Sequence, residues 1–110
     1  MAGGLERGAV RLCGFPAPDK PRPVLILTRA SAIHHLSRVT VAPITSSVRG
    51  VPSEVGLDLE DGMKQRCAVN LHNLVTVAQR SLGSRLTQLS PERMREVCAA
   101  LNFALGCEGE

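Results

Sequence analysis

Aromatic residues are almost absent from this sequence. Its 110 residues include no Trp, no Tyr and only two Phe, at Phe15 and Phe103. Proteins that bind single-stranded nucleic acid without sequence preference commonly stack bases on aromatic side chains. The chain lacks the residues for such a stacking platform, and its interior must be packed by Val, Leu, Ile and Ala.

Features of membrane and secreted proteins are also missing. No apolar run is long enough to cross a bilayer, and the first residues, "MAGGLERG", do not resemble a signal peptide. The four cysteines are far apart and form no C-x-x-C pair, which predicts free thiols; they are Cys13, Cys67, Cys98 and Cys107. We therefore expect a cytoplasmic protein.

Metal and cofactor signatures are equally scarce. His34, His35 and His72 show no ligand spacing with the cysteines. The sequence contains no P-loop, G-x-G-x-x-G, G-x-S-x-G or H-E-x-x-H motif. We expect no metal site and no cofactor, and nothing supports a hydrolase triad.

Lysine is rare, but arginine is not. Eleven of the 13 basic residues are Arg, and the formal net charge is +3. Residues 1–53 carry seven basic and two acidic residues, whereas residues 54–110 carry six basic and eight acidic ones. A planar guanidinium suits phosphate groups, so this distribution favours a basic surface that faces a polyanion. Arginine-rich codon usage accounts for the same count equally well.

The hydrophobic pattern predicts a single α+β domain over residues 1–110. Short apolar or alternating segments predict strands, and the second of them predicts a central strand buried on both faces; they are 9–13, 23–28, 38–45, 50–58, 67–71, 72–78 and 84–89. Segment 50–58 is expected to form a hairpin with 38–45, and Pro43 indicates an edge or a bulge. The proline-rich segment 14–23 is expected to be a loop, and 30–37 a short surface helix.

The C-terminal part has helical periodicity. Ser90 is a candidate N-cap, Pro91 suits the first helical position and Gly106 suits the stop. Apolar residues follow helical spacing, at Met94, Val97, Cys98, Leu101 and Leu105. Many short strands followed by one helix predict a small barrel or a curled sheet. Whether the helix stripe packs on its own sheet or across a two-fold axis stays open.

Two strand ends carry the best candidates for chemistry. Arg22 lies between Pro21 and Pro23 at the start of the predicted central strand, and Thr45 ends the next long strand. If the two strands are neighbours, a guanidinium and a hydroxyl converge on one phosphate. Such donors can stabilise the transition state in which the ribose 2′-OH attacks phosphorus, with no metal and no protein nucleophile.

These segments resemble the MazF/PemK toxins of type II toxin–antitoxin systems. The resemblance covers residues 7–106 and is carried by "RGAVRL", "KPRPVLILTR", "VTVAPITSSVRGVPSEVGL", "CAVNLHNLVTV" and "LGSRLTQLSPERMREVCAAL". It implies an SH3-like β-barrel of the CcdB/PemK type with a C-terminal helix, acting as a homodimer. It also implies sequence-specific, metal-independent cleavage of single-stranded RNA, whether messenger, ribosomal or transfer RNA. The products would carry 2′,3′-cyclic phosphate and 5′-OH ends, and a MazE-like antitoxin would restrain the activity.

The same resemblance assigns roles to particular residues. Arg22 and Thr45 match catalytic positions of the family, and His72 stands where some relatives carry an acid, as a candidate general base or acid, since imidazole titrates near neutral pH. We expect RNA contacts from further side chains at these junctions, namely Lys20, Ser46, Ser47, Arg49, Asn70 and Asn73.

The chain also departs from the family pattern. Ala9, Arg11 and Leu12 replace an acid and two aromatics of the usual first strand, and the loop before Arg22 is short, so only Asp19 is available to replace a loop carboxylate. Two alternatives therefore stay open. One is a non-catalytic toxin of the same fold that binds DNA gyrase, as CcdB does, and the other is a degenerate relative that only binds an antitoxin.

Overall fold

The fold is an antiparallel sheet of seven strands with two helices. A computed structural model describes residues 5–14 and 20–107 of the chain. The elements follow in the order β1 (Ala9–Cys13), β2 (Arg22–Ile26), α1 (Ala30–Ile33), β3 (Arg38–Thr45), β4 (Glu54–Leu57), β5 (Cys67–Asn70), β6 (Val75–Ala78), β7 (Leu82–Gln88) and α2 (Pro91–Leu105). Single 3-10 turns precede β5 and β7, at Leu59–Asp61 and Gln79–Ser81.

Most predicted elements are confirmed, with shifts at their ends. β1 and β3 begin and end where the sequence pattern places them. β2 begins earlier than predicted, at Arg22, and the last strand begins at Leu82 rather than at residue 84. The sixth strand begins only at Val75 because residues 71–74 form a turn. Residues 15–19 of the predicted loop 14–23, among them Asp19, lie outside the described residues.

The predicted hairpin between β3 and β4 is wrong. The sheet order is β4-β5-β3-β2-β1-β7, with β6 also paired to β3, so β5 lies between β3 and β4. Alternation shows that a segment has one buried face but does not specify its partner. Cys67, Ala68 and Val69 are all buried, which suits β5 to an interior position, whereas β4 contains the exposed Gly56 and lies at the edge.

β2 is buried on both faces, as its unbroken apolar run predicts. Leu25 belongs to a core cluster that includes Val97 and Ala100 of α2. Val24 and Ile26, on the opposite face, belong to a second cluster that includes Ile33 of α1. Each face of the curled sheet is therefore covered by one helix, and β2 supplies side chains to both cores. Both clusters are built without an aromatic side chain among the described residues.

Pro43 marks an irregular point in β3. Residues 38–41 of β3 pair with β6, whereas Ile44 and Thr45 pair with β5. Pro43 lies where this edge of β3 changes partner, and proline has no N–H to give to a ladder. β3 therefore pairs with two strands along this edge, with β6 before Pro43 and with β5 after it.

α2 has the caps that its sequence predicts. The Ser90 hydroxyl accepts a hydrogen bond from the Arg93 N–H at 3.1 Å, and Gly106 ends the helix with a φ of 65°. Met94 and Leu101 pack against the core of their own chain, so the apolar stripe covers the sheet of its own subunit. Leu105, predicted as part of this stripe, is 57% exposed, and Phe103 is 63% exposed.

The barrel is not closed by a continuous backbone ladder. Among the described residues β4 and β7 are not paired with each other. A side chain links the two edges instead: the Thr87 hydroxyl of β7 donates to the carbonyl oxygen of Asp61, in the turn after β4, at 2.8 Å. Arg93 of α2 also contacts this turn, since its Nε donates to Asp61 Oδ1 at 2.9 Å. In the described part of the chain no helix is long and apolar enough to span a membrane.

Candidate functional site

A cleft of about 480 Å³ lies where β2 begins and β3 ends. It is on the face of the sheet opposite the core beneath α2, which we call the outer face. Eight of the nine predicted site residues line it, and Lys20 is the exception. Its lining residues are Arg22, Pro43, Ile44, Thr45, Ser46, Ser47, Arg49, Glu54, Asn70, His72 and Asn73.

The register of β2 and β3 brings Arg22 next to Thr45. The two strands are antiparallel neighbours, and Val24 pairs with Pro43. Continuing this register by two residues places Arg22 opposite Thr45. The prolines on either side of Arg22 restrict its backbone, so the guanidinium stems from a stiff part of the chain. The two strands are therefore neighbours, and both residues line the same cleft.

The floor of the cleft is the outer face of β3, β5 and β4. Because side chains alternate along a strand, Pro43 and Thr45 face away from the core that buries Ile44. Asn70 of β5 pairs with Glu54 of β4 and shares this outer face. The row next to Asn70 and Glu54 consists of Ala68 and Gly56, which are paired with each other.

The Thr45 hydroxyl is held by the loop that follows it. Its Oγ1 accepts a hydrogen bond from the Ser47 N–H at 3.0 Å, a local turn that threonine and serine commonly form. This bond uses a lone pair of Oγ1 and leaves the hydroxyl proton available. Thr45 can therefore donate a hydrogen bond to an oxygen that enters the cleft.

The ring and the backbone of His72 are both hydrogen-bonded to other residues of the protein. Its Nδ1 is hydrogen-bonded to the hydroxyl of Ser53, which is 7% exposed, and its backbone N–H donates to Asn70 Oδ1 at 3.1 Å. Nδ1 is thus engaged inside the protein, and Nε2 is the ring nitrogen left for proton exchange at the surface. Ser53 was not among the predicted site residues, because a lone serine in a loop carries no signal in the sequence.

Glu54 is a second residue that the sequence reasoning missed. Its Oε1 accepts hydrogen bonds from the N–H groups of Arg49 and Gly50, at 3.0 and 2.9 Å. The carboxylate therefore shapes the loop between β3 and β4. A signal did exist, because Glu54 is the only acidic residue between Asp19 and Asp58, in a stretch otherwise rich in arginine.

The cleft is electropositive. Within the described part of the chain the guanidinium groups of Arg22 and Arg49 have no hydrogen-bond or ion-pair partner, whereas the Glu54 carboxylate is engaged by backbone N–H groups. Two unpaired guanidiniums beside hydroxyl and amide donors form a site suited to a phosphodiester. Nowhere in the described ranges do three His, Cys, Asp or Glu side chains come together as a metal would require.

The comparison with protein families decides what this fold and cleft belong to. Residues 6–105 match the model of PemK-like, MazF-like toxins of type II toxin–antitoxin systems. The chain belongs to this toxin family. The resemblance noted in the sequence is confirmed, and the open antiparallel sheet with its C-terminal helix is the MazF fold.

Similar sequences to this MazF-like toxin occur in mycobacteria. The chain is 44% identical over 102 residues to "Probable endoribonuclease MazF5" of Mycobacterium tuberculosis, covering 92% of this chain and 93% of that one. It is 46% identical over 86 residues to "Endoribonuclease MazF3" of the same species, covering 78% and 84% of the two chains.

Solved structures of relatives share the fold. The M. tuberculosis toxin MazF-mt6 superposes with a TM-score of 0.82 at 36% identity, over 89% of this chain and 96% of that one. A mycobacterial endoribonuclease solved in complex with its cognate antitoxin gives a TM-score of 0.82 at 28% identity, over 92% and 94% of the chains. The predicted class, an endoribonuclease toxin, is confirmed by these relationships, and nothing in them favours the gyrase-binding alternative.

Proposed function

We propose that this MazF-like toxin cleaves single-stranded RNA at the cleft between Arg22 and His72, with no metal ion. The observation that supports this proposal most strongly is the juxtaposition of Arg22 and Thr45, produced by the antiparallel register of β2 and β3. A guanidinium placed before the reaction begins stabilises the charge that develops on the non-bridging oxygens of phosphorus. The remaining steps follow from the side chains around it.

In the proposed reaction the substrate supplies its own nucleophile. The ribose 2′-oxygen forms a bond to the adjacent phosphorus while its proton passes to Nε2 of His72. The bond from phosphorus to the 5′-oxygen breaks, and that oxygen takes up a proton from water. The hydroxide formed takes the proton from His72, which returns the imidazole to its starting state. Arg22 and the Thr45 hydroxyl donate hydrogen bonds to the phosphoryl oxygens. The products are a 2′,3′-cyclic phosphate and a 5′-OH end.

The other predicted residues are proposed to bind RNA. Ser46, Ser47, Arg49, Asn70 and Asn73 line the same cleft and offer donors and acceptors for phosphates and base edges. Lys20 is exposed outside the cleft lining, and its proposed contact is to a more distant phosphate.

The deciding experiment is cleavage of a long natural RNA in the presence of EDTA, with the new 5′ ends mapped. We expect discrete 5′-OH ends from the wild type and a loss of about 10³-fold in rate for Arg22→Ala, because one preorganised charge at the transition state contributes about 4 kcal/mol. Arg38→Ala is a matched control, since Arg38 is exposed on β3 and lies outside the cleft. Retained cleavage by a folded Arg22→Ala variant would contradict the mechanism. Intact RNA with wild-type protein, together with capture of gyrase, would support the CcdB-like alternative.

The proposed partners are a cognate MazE-like antitoxin and a second copy of the chain. A related endoribonuclease has been solved with its antitoxin, and the exposed cationic cleft suits an acidic antitoxin segment. An RNA substrate is consistent with a cytoplasmic toxin. Light scattering at micromolar concentration tests the homodimer, and a strictly monomeric species would contradict it.

A further inference from the structure

A second cleft adjoins the first and extends it past the end of β3. Its volume is about 480 Å³, and we call it the basic cleft. Ser46 and Arg49 line both clefts, so the two share a wall. The residues that line the basic cleft are Ser46, Val48, Arg49, Gly50 and Arg66.

The strand register shows why Arg66 lies there. The ladder between β3 and β5 ends at the Thr45–Ala68 pair, so Ser47 and Arg66, each two residues beyond this pair, leave the sheet at the same end. Arg66 immediately precedes β5 and lines the basic cleft. Asn70, the last residue of β5, lines the first cleft and Arg66, immediately before β5, lines the second, so the two ends of this strand lead to the two clefts.

The charges in the basic cleft are not balanced by the protein. No carboxylate lines it, and within the described residues neither Arg49 nor Arg66 has a side-chain partner. Two arginines elsewhere in the chain are paired with carboxylates: Arg93 with Asp61 and Glu96, and Arg85 with Glu6. Two like charges at one cleft repel each other, and a bound anion removes that repulsion.

We propose that the basic cleft binds a backbone phosphate of the RNA strand outside the linkage that is cleaved, and that Arg66 is a contact residue for it. The inference rests on the proposed function, because the strand that enters the first cleft continues along the shared wall at Arg49. A guanidinium binds phosphate oxygens with two parallel hydrogen bonds. Val48, which is 37% exposed, offers an apolar contact to the neighbouring sugar or base. A phosphate contact strengthens binding without reading sequence.

The test uses a single-stranded RNA with 2′-deoxyribose at the cleaved nucleotide, which binds but lacks the nucleophile. Affinity is measured over a range of salt concentrations. We expect Arg66→Ala to weaken binding about tenfold and to reduce the slope of log K against log salt by about 0.7, the value for one single-strand phosphate contact. Arg66→Lys keeps the charge and should keep the slope. Arg95→Ala, at an exposed position of α2 outside both clefts, should behave as the wild type.

Truncation of the RNA identifies where the contact falls. The effect of Arg66→Ala should vanish when the RNA is shortened on one side of the cleaved linkage and persist when it is shortened on the other. An effect that survives shortening on both sides would assign Arg66 to the scissile phosphate and contradict a separate site.

The remaining outcomes distinguish this inference from the proposed function. Unchanged affinity and slope in Arg66→Ala, with the wild type binding RNA, would overturn the basic cleft alone. Weakened antitoxin binding with intact RNA binding would also overturn it, in favour of a protein ligand. If the wild type does not bind RNA at all, both proposals fail. If Arg66→Ala weakens RNA binding as expected but the wild type leaves an all-ribose RNA uncleaved, the basic cleft stands and the cleavage mechanism fails.

Discussion

At the scale of single residues, the proposed role of His72 depends on Ser53, a residue that the sequence does not mark as part of the site. Ser53 is buried and hydrogen-bonded to His72 Nδ1, and its hydroxyl can either donate to this nitrogen or accept from it. The proposed base role requires Nδ1–H to donate to the Ser53 hydroxyl, which leaves Nε2 unprotonated and able to accept the 2′-OH proton. Tautomers can be distinguished by the ¹⁵N shifts of the ring nitrogens.

Ser53→Ala should therefore change the proton-transfer chemistry more than the fold. Loss of one hydrogen bond worth about 1 kcal/mol predicts a roughly fivefold fall in kcat, a mixture of His72 tautomers and an altered dependence of kcat on pH. The measurements are single-turnover cleavage over a pH series and ¹⁵N NMR of the ring. Ser84→Ala, at an exposed position in β7, is the control. An unchanged tautomer and pH profile in Ser53→Ala would show that Ser53 has only a packing role.

At the scale of elements, the 3-10 turn at Leu59–Asp61 connects the two edges of the sheet, because β4 and β7 share no backbone ladder among the described residues. Gly62 follows this turn with a φ of 90°, a conformation that residues with a Cβ adopt at a cost of about 1 kcal/mol. A Cβ on Gly62 would lie 2.4 Å from Thr87 Oγ1, the hydroxyl that donates to the Asp61 carbonyl. The substitution would therefore strain the turn and break the contact between the two sheet edges.

Gly62→Ala should lower the free energy of unfolding by about 2 kcal/mol or more, from the left-handed backbone and the lost hydrogen bond together. Gly56→Ala is a matched control in the neighbouring strand β4, because a Cβ there meets nothing within 4 Å. It should be neutral or slightly stabilising, since alanine loses less backbone freedom than glycine. Urea unfolding of both variants is the measurement, and equal stabilities would show that the turn does not hold the edges together.

At the scale of the whole molecule, acid stability should depend on the ion pair that joins the 3-10 turn to α2. Burial raises the pKa of Asp61, but the hydrogen bonds from Arg93 and from the Asp58 N–H, together with the charge of Arg93, outweigh it and hold the pKa below its ordinary value. The carboxylates of Asp61 and Glu96 in turn raise the pKa of Arg93 above its ordinary value, although burial lowers it. A depressed carboxyl pKa stabilises the folded state at pH values above the unfolded-state pKa.

The contribution of this pair should be complete at neutral pH and disappear as the pH falls below about 4 and through the folded-state pKa of Asp61. Asp61→Asn should cost about 2 kcal/mol at pH 7, because a partly buried charged hydrogen bond is lost, and should flatten the acid limb of the stability curve. Thermal unfolding between pH 2 and 7 measures both effects. Glu92→Gln is the control, since Glu92 is exposed and has no ion-pair partner within the described ranges. An acid limb as steep in Asp61→Asn as in the wild type would assign it to other carboxyls.

The sequence alone determined the elements and the chemical candidates. The apolar run of β2 showed burial on both faces, Ser90 and Gly106 marked the ends of α2, and the motifs around Arg22 and Thr45 indicated the toxin family. These properties are local, since they depend on periodicity, capping and residue type within a few positions. The roles of Arg22, Thr45 and His72 stay predictions until variants are assayed.

Only the tertiary structure decided which segments are neighbours. β5 lies between β3 and β4, so Glu54 and Asn70 share the face that carries Thr45. Arg66 reaches the adjoining cleft, and Ser53 is hydrogen-bonded to His72. Alternating patterns are the same whichever strand is the partner, because they report a buried face and not the ladder that forms beside it. The second cleft, the anchor of His72 and the side-chain link between the sheet edges all follow from that pairing.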